Sequence, residues 1–173
     1  MYEGVPILAC LLPALAVLVM SVLAVAVALR IVQEHTRLVV FRLGRFLGVR
    51  GPGLLLLLPF VDRAVAVDLR QQVRRLEGQA ATTQDDKRVT VDLVWSYRIV
   101  DPACSVLAVE NLEAALQEMS ATLLRTAVAA TTREELFRDH EPTRAQIHAR
   151  LCQVAEPWGI DIEEVEIRDI RRI

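Results

Sequence analysis

The side chains that could carry out catalysis or hold a metal ion are few and scattered along the chain. The histidines lie at His35, His140 and His148. Only the last two could share a helix, and their spacing does not bring both to one metal ion. The acidic pairs at 85–86 and 163–164 would point to opposite faces of an extended strand, which favours a turn and a solvated bulge over a catalytic pair.

The cysteines and the overall charge are equally uninformative about catalysis. Cys10, Cys104 and Cys152 are far apart and form no Cys-x-x-Cys pair, so the sequence predicts neither a zinc site nor a disulfide framework, and it fits a reducing compartment. The net charge of −2 comes without a basic stripe, which argues against nucleic-acid binding. No nucleophile elbow or phosphate-binding loop is present in the sequence. We therefore predict no catalytic residues, no metal, no cofactor and no enzyme activity.

The strongest signal in the sequence is an N-terminal apolar run that suits the interior of a membrane. Residues 5–29 contain no charged side chain, and as a helix they would extend about 37 Å, longer than the ~30 Å hydrocarbon core of a bilayer. A cleaved signal peptide is disfavoured because no Lys or Arg precedes the run, and a buried core helix because a small domain rarely encloses one. We predict a membrane anchor over 1–30, with a domain over 31–173. The residues expected to form this anchor include Ile7, Leu11, Leu15, Leu18, Val22 and Leu29.

Charge on either side of the apolar run predicts its orientation. Glu3 is the only charge before it, whereas Arg30, Arg37, Arg42 and Arg45 follow it closely. Because positive flanks stay in the cytoplasm, we expect a cell-membrane protein with a cytoplasmic domain. A proline within the run leaves both a single span and a re-entrant hairpin open, and both topologies keep the domain on the same side.

A second apolar run follows a glycine- and proline-rich turn. Its members are Leu54, Leu55, Leu56, Leu57, Leu58 and Phe60. The run is too short to span a bilayer and is bracketed by prolines, so it is no long helix. Two interpretations are equally supported: a buried strand or loop of the core, and a hydrophobic loop that dips into the membrane leaflet.

The remaining chain predicts strands first, then helices, then a returning strand. Alternating apolar residues predict strands at 31–43, 63–70 and 88–99, with an edge strand between 71 and 87. Asp101, Asn111 and the Glu141-Pro142 pair are helix-start signals. The last strand, 160–170, changes phase at 163–164 as a bulge would. This order predicts an α+β domain with helices packed on one face of a mostly antiparallel sheet.

Several stretches, in this order and spacing, resemble one family across residues 30–170. They are Phe41-Arg42-Leu43-Gly44-Arg45, Gly51-Pro52-Gly53-Leu54, Val67-Asp68-Leu69-Arg70, Val89-Thr90-Val91-Asp92 and Trp158-Gly159-Ile160. The chain is similar to the stomatin, prohibitin, flotillin and HflK/C group, the SPFH or band 7 family. The resemblance implies an α+β domain at a membrane, homo-oligomers, and a scaffold that organises lipid microdomains and regulates membrane proteins.

The same resemblance leaves alternative partners open. Prokaryotic relatives are associated with NfeD-type proteins and membrane proteases, so a regulatory subunit or adaptor of a membrane protease is the second hypothesis. Relatives usually continue into a long helix that forms coiled coil, whereas this sequence stops at Arg171-Arg172-Ile173. We therefore expect a member without that helix, and a smaller oligomer rather than a large closed cage.

Overall fold

A computed structural model describes Leu15, residues 17–20, Ala26 and residues 28–172. The chain divides into two compact units, Met1–Ala66 and Val67–Ile173, called unit 1 and unit 2 below. Each unit has its own sheet pairing and its own buried residues, and they are described separately.

Unit 1 is built from short strands. They are β1 (Leu29–Val32), β2 (Thr36–Arg42), β3 (Arg45–Arg50), β4 (Gly53–Leu56) and β5 (Asp62–Asp68), the last of which continues into unit 2. Strand β1 pairs with β4 in a two-stranded ribbon, and β3, β2 and β5 form a three-stranded sheet in that order. The core of the unit is formed by Val32, Leu38 and Val40.

The prediction of one continuous strand over 31–43 is wrong. A turn separates β1 from β2, and within it the Thr36 amide donates a hydrogen bond to the Gln33 carbonyl at 3.0 Å. The intervening residues include Glu34 and His35, whose polar side chains suit a solvated turn better than a buried strand. Two short strands therefore replace the predicted long one.

Unit 2 contains the long strands and the helices. Strands β6 (Gln72–Thr82), β7 (Arg88–Ile99) and β8 (Ile160–Arg172) form an antiparallel sheet with β7 in the centre. The helices are α1 (Pro102–Ala108), α2 (Leu112–Ala129), α3 (Arg133–Arg138) and α4 (Glu141–Ala155), followed by a 3-10 turn at Glu156–Trp158. Helix α2 packs against β6 and α4, and α4 packs against β8. The predicted α+β class with an antiparallel sheet is confirmed.

The core of unit 2 follows the periodicity of its strands and helices. Alternate β7 residues from Val89 to Tyr97 are buried, as a strand with one core-facing side requires. Leu124 of α2 and Leu151 of α4 are fully buried as well. The pairing of β7 with β8 slips between Ser96 and Tyr97, which accounts for the phase change predicted at 163–164.

Helix starts in unit 2 are fixed by side-chain caps. The Asp101 carboxylate accepts hydrogen bonds from the Ala103 and Cys104 amides, at 2.9 and 3.2 Å, and the Asn111 side chain caps α2 in the same way.

Gly159 closes the turn after α4 with φ of +71°, and a Cβ there would lie 2.7 Å from the Asp101 Cβ. Only glycine fits that position without strain.

The predicted membrane anchor falls largely outside the described residues. Ile7, Leu11 and Val22 are among those not described, whereas Leu15 and Leu18 are helical and exposed. Among the residues that are described, no helix is both long and apolar enough to span a bilayer. Leu29 does not belong to a helix: it is the first residue of β1, because its backbone pairs with Leu56.

Candidate membrane-contact surface

The ribbon formed by β1 and β4 places four apolar side chains on one exposed face. Leu29 lies opposite Leu56 and Ile31 lies opposite Leu54, and residues directly opposite each other project to the same side of an antiparallel pair. Their exposed fractions are 40% for Leu29, 65% for Leu56, 84% for Ile31 and 68% for Leu54. We call these four residues the apolar ribbon face.

The leucine run 54–58 is divided between the surface and the core. Leu55 and Leu57 pack against the unit 1 core, whereas Leu54, Leu56 and Leu58 are exposed. The period of two in an extended strand produces this division. The core interpretation therefore fits Leu55 and Leu57, and contact with the membrane stays a prediction for the exposed Leu54, Leu56 and Leu58.

Two further apolar residues are exposed at neighbouring turns. Phe60 is fully exposed with φ of +72°, and Leu43 is exposed with φ of +50°. The turns are joined by the Leu43 amide, which donates to the Val61 carbonyl at 3.1 Å. A positive φ is uncommon for large apolar residues. Both residues therefore combine an unusual backbone conformation with an exposed apolar side chain.

An ion pair holds these turns in place. The Arg42 guanidinium donates to both carboxylate oxygens of Asp62 at 2.7 and 3.0 Å, and the Leu58 amide donates to the same carboxylate at 3.0 Å. The Asp62 side chain is 1% exposed. The hydrogen bond from Arg42 is the main cause that holds the pKa of Asp62 below its ordinary value, with the Leu58 amide adding to it. Asp62 therefore stays ionised and fixes the loop that carries Phe60.

The four arginines expected to set orientation lie in unit 1 in different surroundings. Arg42 is held by Asp62, and Arg37 donates to the carbonyls of Glu34 and Thr36. Arg30 and Arg45 are exposed. Unit 1 is thus rich in positive charge, with Glu34 and Asp62 as the acidic residues between 29 and 66.

Metal-ligating side chains are not clustered in the part of the chain that the structure describes. No group of three or more His, Cys, Asp or Glu residues there could hold a metal ion. The Cys152 Sγ lies 3.8 Å from a ring nitrogen of His148 on α4. Burial, followed by the nearby charge of Asp161, raises the pKa of Cys152. A thiol with a raised pKa is a poor nucleophile at neutral pH.

Comparison with known proteins settles the family. The model of the SPFH domain / Band 7 family matches residues 30–172. The chain belongs to the SPFH domain / Band 7 family. This SPFH protein is 37% identical over 154 residues to a stomatin homologue of Pyrococcus horikoshii, covering 89% of this chain and 58% of the relative.

Animal stomatins match over a similar length of the SPFH protein. Stomatin-1 of Caenorhabditis elegans is 37% identical over 149 residues, covering 86% of this chain and 45% of the relative. Stomatin of Mus musculus is 31% identical over 151 residues, covering 86% and 53%. The chain thus spans about half the length of the curated relatives it matches, and the stomatin-like character predicted from the sequence is confirmed.

Sequence reasoning missed three residues that form or support this surface. Ile31 was predicted within a long strand, and nothing in its surroundings signals that its side chain stays uncovered. Leu43 depends on a left-handed backbone that its residue type does not favour. Asp62 is twenty positions from its partner Arg42, and only the pairing of two turns brings the charges together.

Proposed function

We propose that this SPFH protein is a stomatin-type scaffold of the cell membrane that oligomerises there, organises lipid around itself and regulates neighbouring membrane proteins. The observation that carries the proposal is the apolar ribbon face, which exposes four large aliphatic side chains on a ribbon whose first strand begins at the end of the apolar N-terminal sequence. Contiguous exposed apolar patches mark surfaces that contact a partner or a membrane.

In this proposal the ribbon face would rest on the leaflet from which the N-terminal segment emerges. Burying a leucine or isoleucine side chain is worth about 1.5–3 kcal/mol. Four side chains that are already partly covered would therefore contribute about 5 kcal/mol on transfer to lipid. Such a contribution would hold unit 1 against the bilayer rather than leave it tethered and free to tumble.

The charge of unit 1 fits a cytoplasmic location. Arg30, Arg37 and Arg45 follow the apolar segment closely, and positive charge at such a flank favours the cytoplasmic side. The N-terminal segment would cross the bilayer once or return as a hairpin, and either arrangement leaves unit 1 at the cytoplasmic surface.

The scaffold role requires that copies associate. We expect the full chain, extracted in mild detergent, to give a defined multimer by native mass spectrometry. Cross-linking in intact membranes before extraction provides the control, because it captures contacts that detergent disrupts. A monomer in both experiments would contradict the scaffold and would indicate a protein that acts on a single partner.

A further inference from the structure

A cavity in unit 1 lies beside the apolar ribbon. Its volume is about 330 Å³, at the lower end of the range for small-molecule sites. Most of the lining is apolar and comes from Leu38, Leu57, Leu58, Pro59, Ala64 and Ala66. The two charged residues in the lining are Arg30 and Asp62.

The two charges in the cavity are not equivalent. Both Asp62 oxygens are occupied, by the Arg42 guanidinium and by the Leu58 amide, so its charge is balanced within the protein. The Arg30 side chain has no hydrogen-bond or ion-pair partner in the part of the chain that the structure describes. The cavity therefore offers one available positive charge together with an apolar wall.

The strand pattern explains why Arg30 is at the cavity. Arg30 lies opposite Leu55 in the ribbon and on the other face from Leu29 and Ile31, although the residue itself stays exposed. Leu58 lines the cavity and is also partly exposed. An apolar chain bound beside Arg30 could thus leave the cavity along Leu58.

We propose that this cavity binds one anionic amphiphile, with its carboxylate or phosphate group on Arg30 and the first part of its acyl chain against Leu57, Leu58 and Pro59. A cation is not expected, since the only acidic group in the lining is already neutralised. An uncharged chain would contact the apolar wall but would gain no ion pair with Arg30. The site would be occupied by an anionic phospholipid or by a free single-chain carboxylate.

The proposal can be tested with octanoate, which is small enough for the cavity, and with uncharged octanamide as its matched ligand. Saturation-transfer NMR on the full chain in deuterated detergent would report both. Because the carboxylate adds an attraction between opposite charges at Arg30 that the neutral amide lacks, we expect octanoate to bind about tenfold more tightly than octanamide.

Three variants locate the binding. Arg30→Gln should abolish the preference for octanoate. Ala66→Leu keeps the charge but fills the cavity, and should weaken both ligands. Arg45→Gln removes one exposed arginine of unit 1 that does not line the cavity, and should behave like the wild type. Equal binding of the two ligands by the wild type, or equal losses in the Arg30 and Arg45 variants, would overturn the proposal.

A second arm identifies the source of the amphiphile and rests on the proposed membrane location of unit 1. In phosphatidylcholine nanodiscs the octanoate signal should persist. Suppression of the signal by added phosphatidylglycerol would assign the site to an anionic phospholipid, and its persistence would assign the site to a free carboxylate. The detergent experiment needs no bilayer, so it tests the cavity independently of the proposed membrane location. A cavity that binds no octanoate would leave the membrane-contact surface unaffected, and a unit 1 that does not contact the bilayer would leave the cavity unaffected.

Discussion

Replacing Leu56 by aspartate should release unit 1 from the bilayer without unfolding it. Leu56 is 65% exposed, so loss of its contact with lipid removes about 1.5 kcal/mol. A carboxylate facing acyl chains adds a further penalty of about 2.5 kcal/mol. The docked state should therefore weaken by about 4 kcal/mol, close to a thousandfold change in its equilibrium constant.

Hydrogen exchange of the full chain in nanodiscs measures this docking separately from the N-terminal segment. The amides of β4 and the following loop, within residues 53–60 apart from Pro59, should be protected in the wild type and exchange faster in Leu56→Asp. The matched control is Leu107→Asp, because Leu107 of α1 is 55% exposed and lies in unit 2. Its substitution should leave the exchange of residues 53–60 unchanged.

Stability measurements complete the test of Leu56. The side chain makes little contact with the core, so the free energy of unfolding should change by no more than about 0.5 kcal/mol. If Leu56→Asp unfolded unit 1 in detergent, the leucine would belong to the core. If residues 53–60 stayed protected in nanodiscs, the ribbon face would not rest on lipid.

Three further predictions concern unit 2. Gly159→Ala should lower the free energy of unfolding in urea by at least about 1 kcal/mol, because the new Cβ meets Asp101 at 2.7 Å and the backbone φ is +71°; an unchanged midpoint would contradict the close approach. The hydrogen bond from Cys104, followed by the helix amides, lowers the pKa of Asp101. The ionised Asp101 carboxylate therefore contributes its full stabilisation above about pH 4, the ordinary pKa of aspartate in the unfolded chain. This stabilisation is lost as the pH falls through the lower pKa of Asp101 in the folded protein. Asp101→Asn keeps a capping side chain and should flatten the acid limb of urea midpoints measured from neutral pH to about pH 2.5, whereas an identical limb would assign the pH dependence to other groups. Leu124→Ala should cost about 2–5 kcal/mol, since Leu124 is fully buried, whereas Leu107→Ala should stay within about 0.5 kcal/mol of the wild type.

The periodic elements of unit 2 could be predicted from the sequence because local and tertiary preferences agree there. Alternation along 88–99 matches β7, and the cap residues Asp101 and Asn111 mark the starts of α1 and α2. The bulge in β8 was signalled by a change of phase in its apolar residues. In each case one short stretch contains the whole signal.

The surface of unit 1 could not be predicted in the same way. A run of five leucines has no alternation, so the sequence alone does not tell which of them face the core. Pairing of β4 with β1 makes that choice, and it depends on residues more than twenty positions away. The exposed positions of Leu43 and Phe60 likewise depend on turns that are tied together by Arg42 and Asp62.

Contact between the apolar ribbon face and lipid can be measured directly with a phospholipid that carries a photoreactive group in its acyl chain. The full chain would be reconstituted with this lipid, irradiated, and mapped by peptide mass spectrometry. We expect cross-links at Leu29, Ile31, Leu54 and Leu56, and none at Leu107, which is exposed to a similar degree. The proposed contact would be contradicted if Leu107 were labelled as strongly as the ribbon face. It would also be contradicted if the N-terminal segment were labelled and the ribbon face were not.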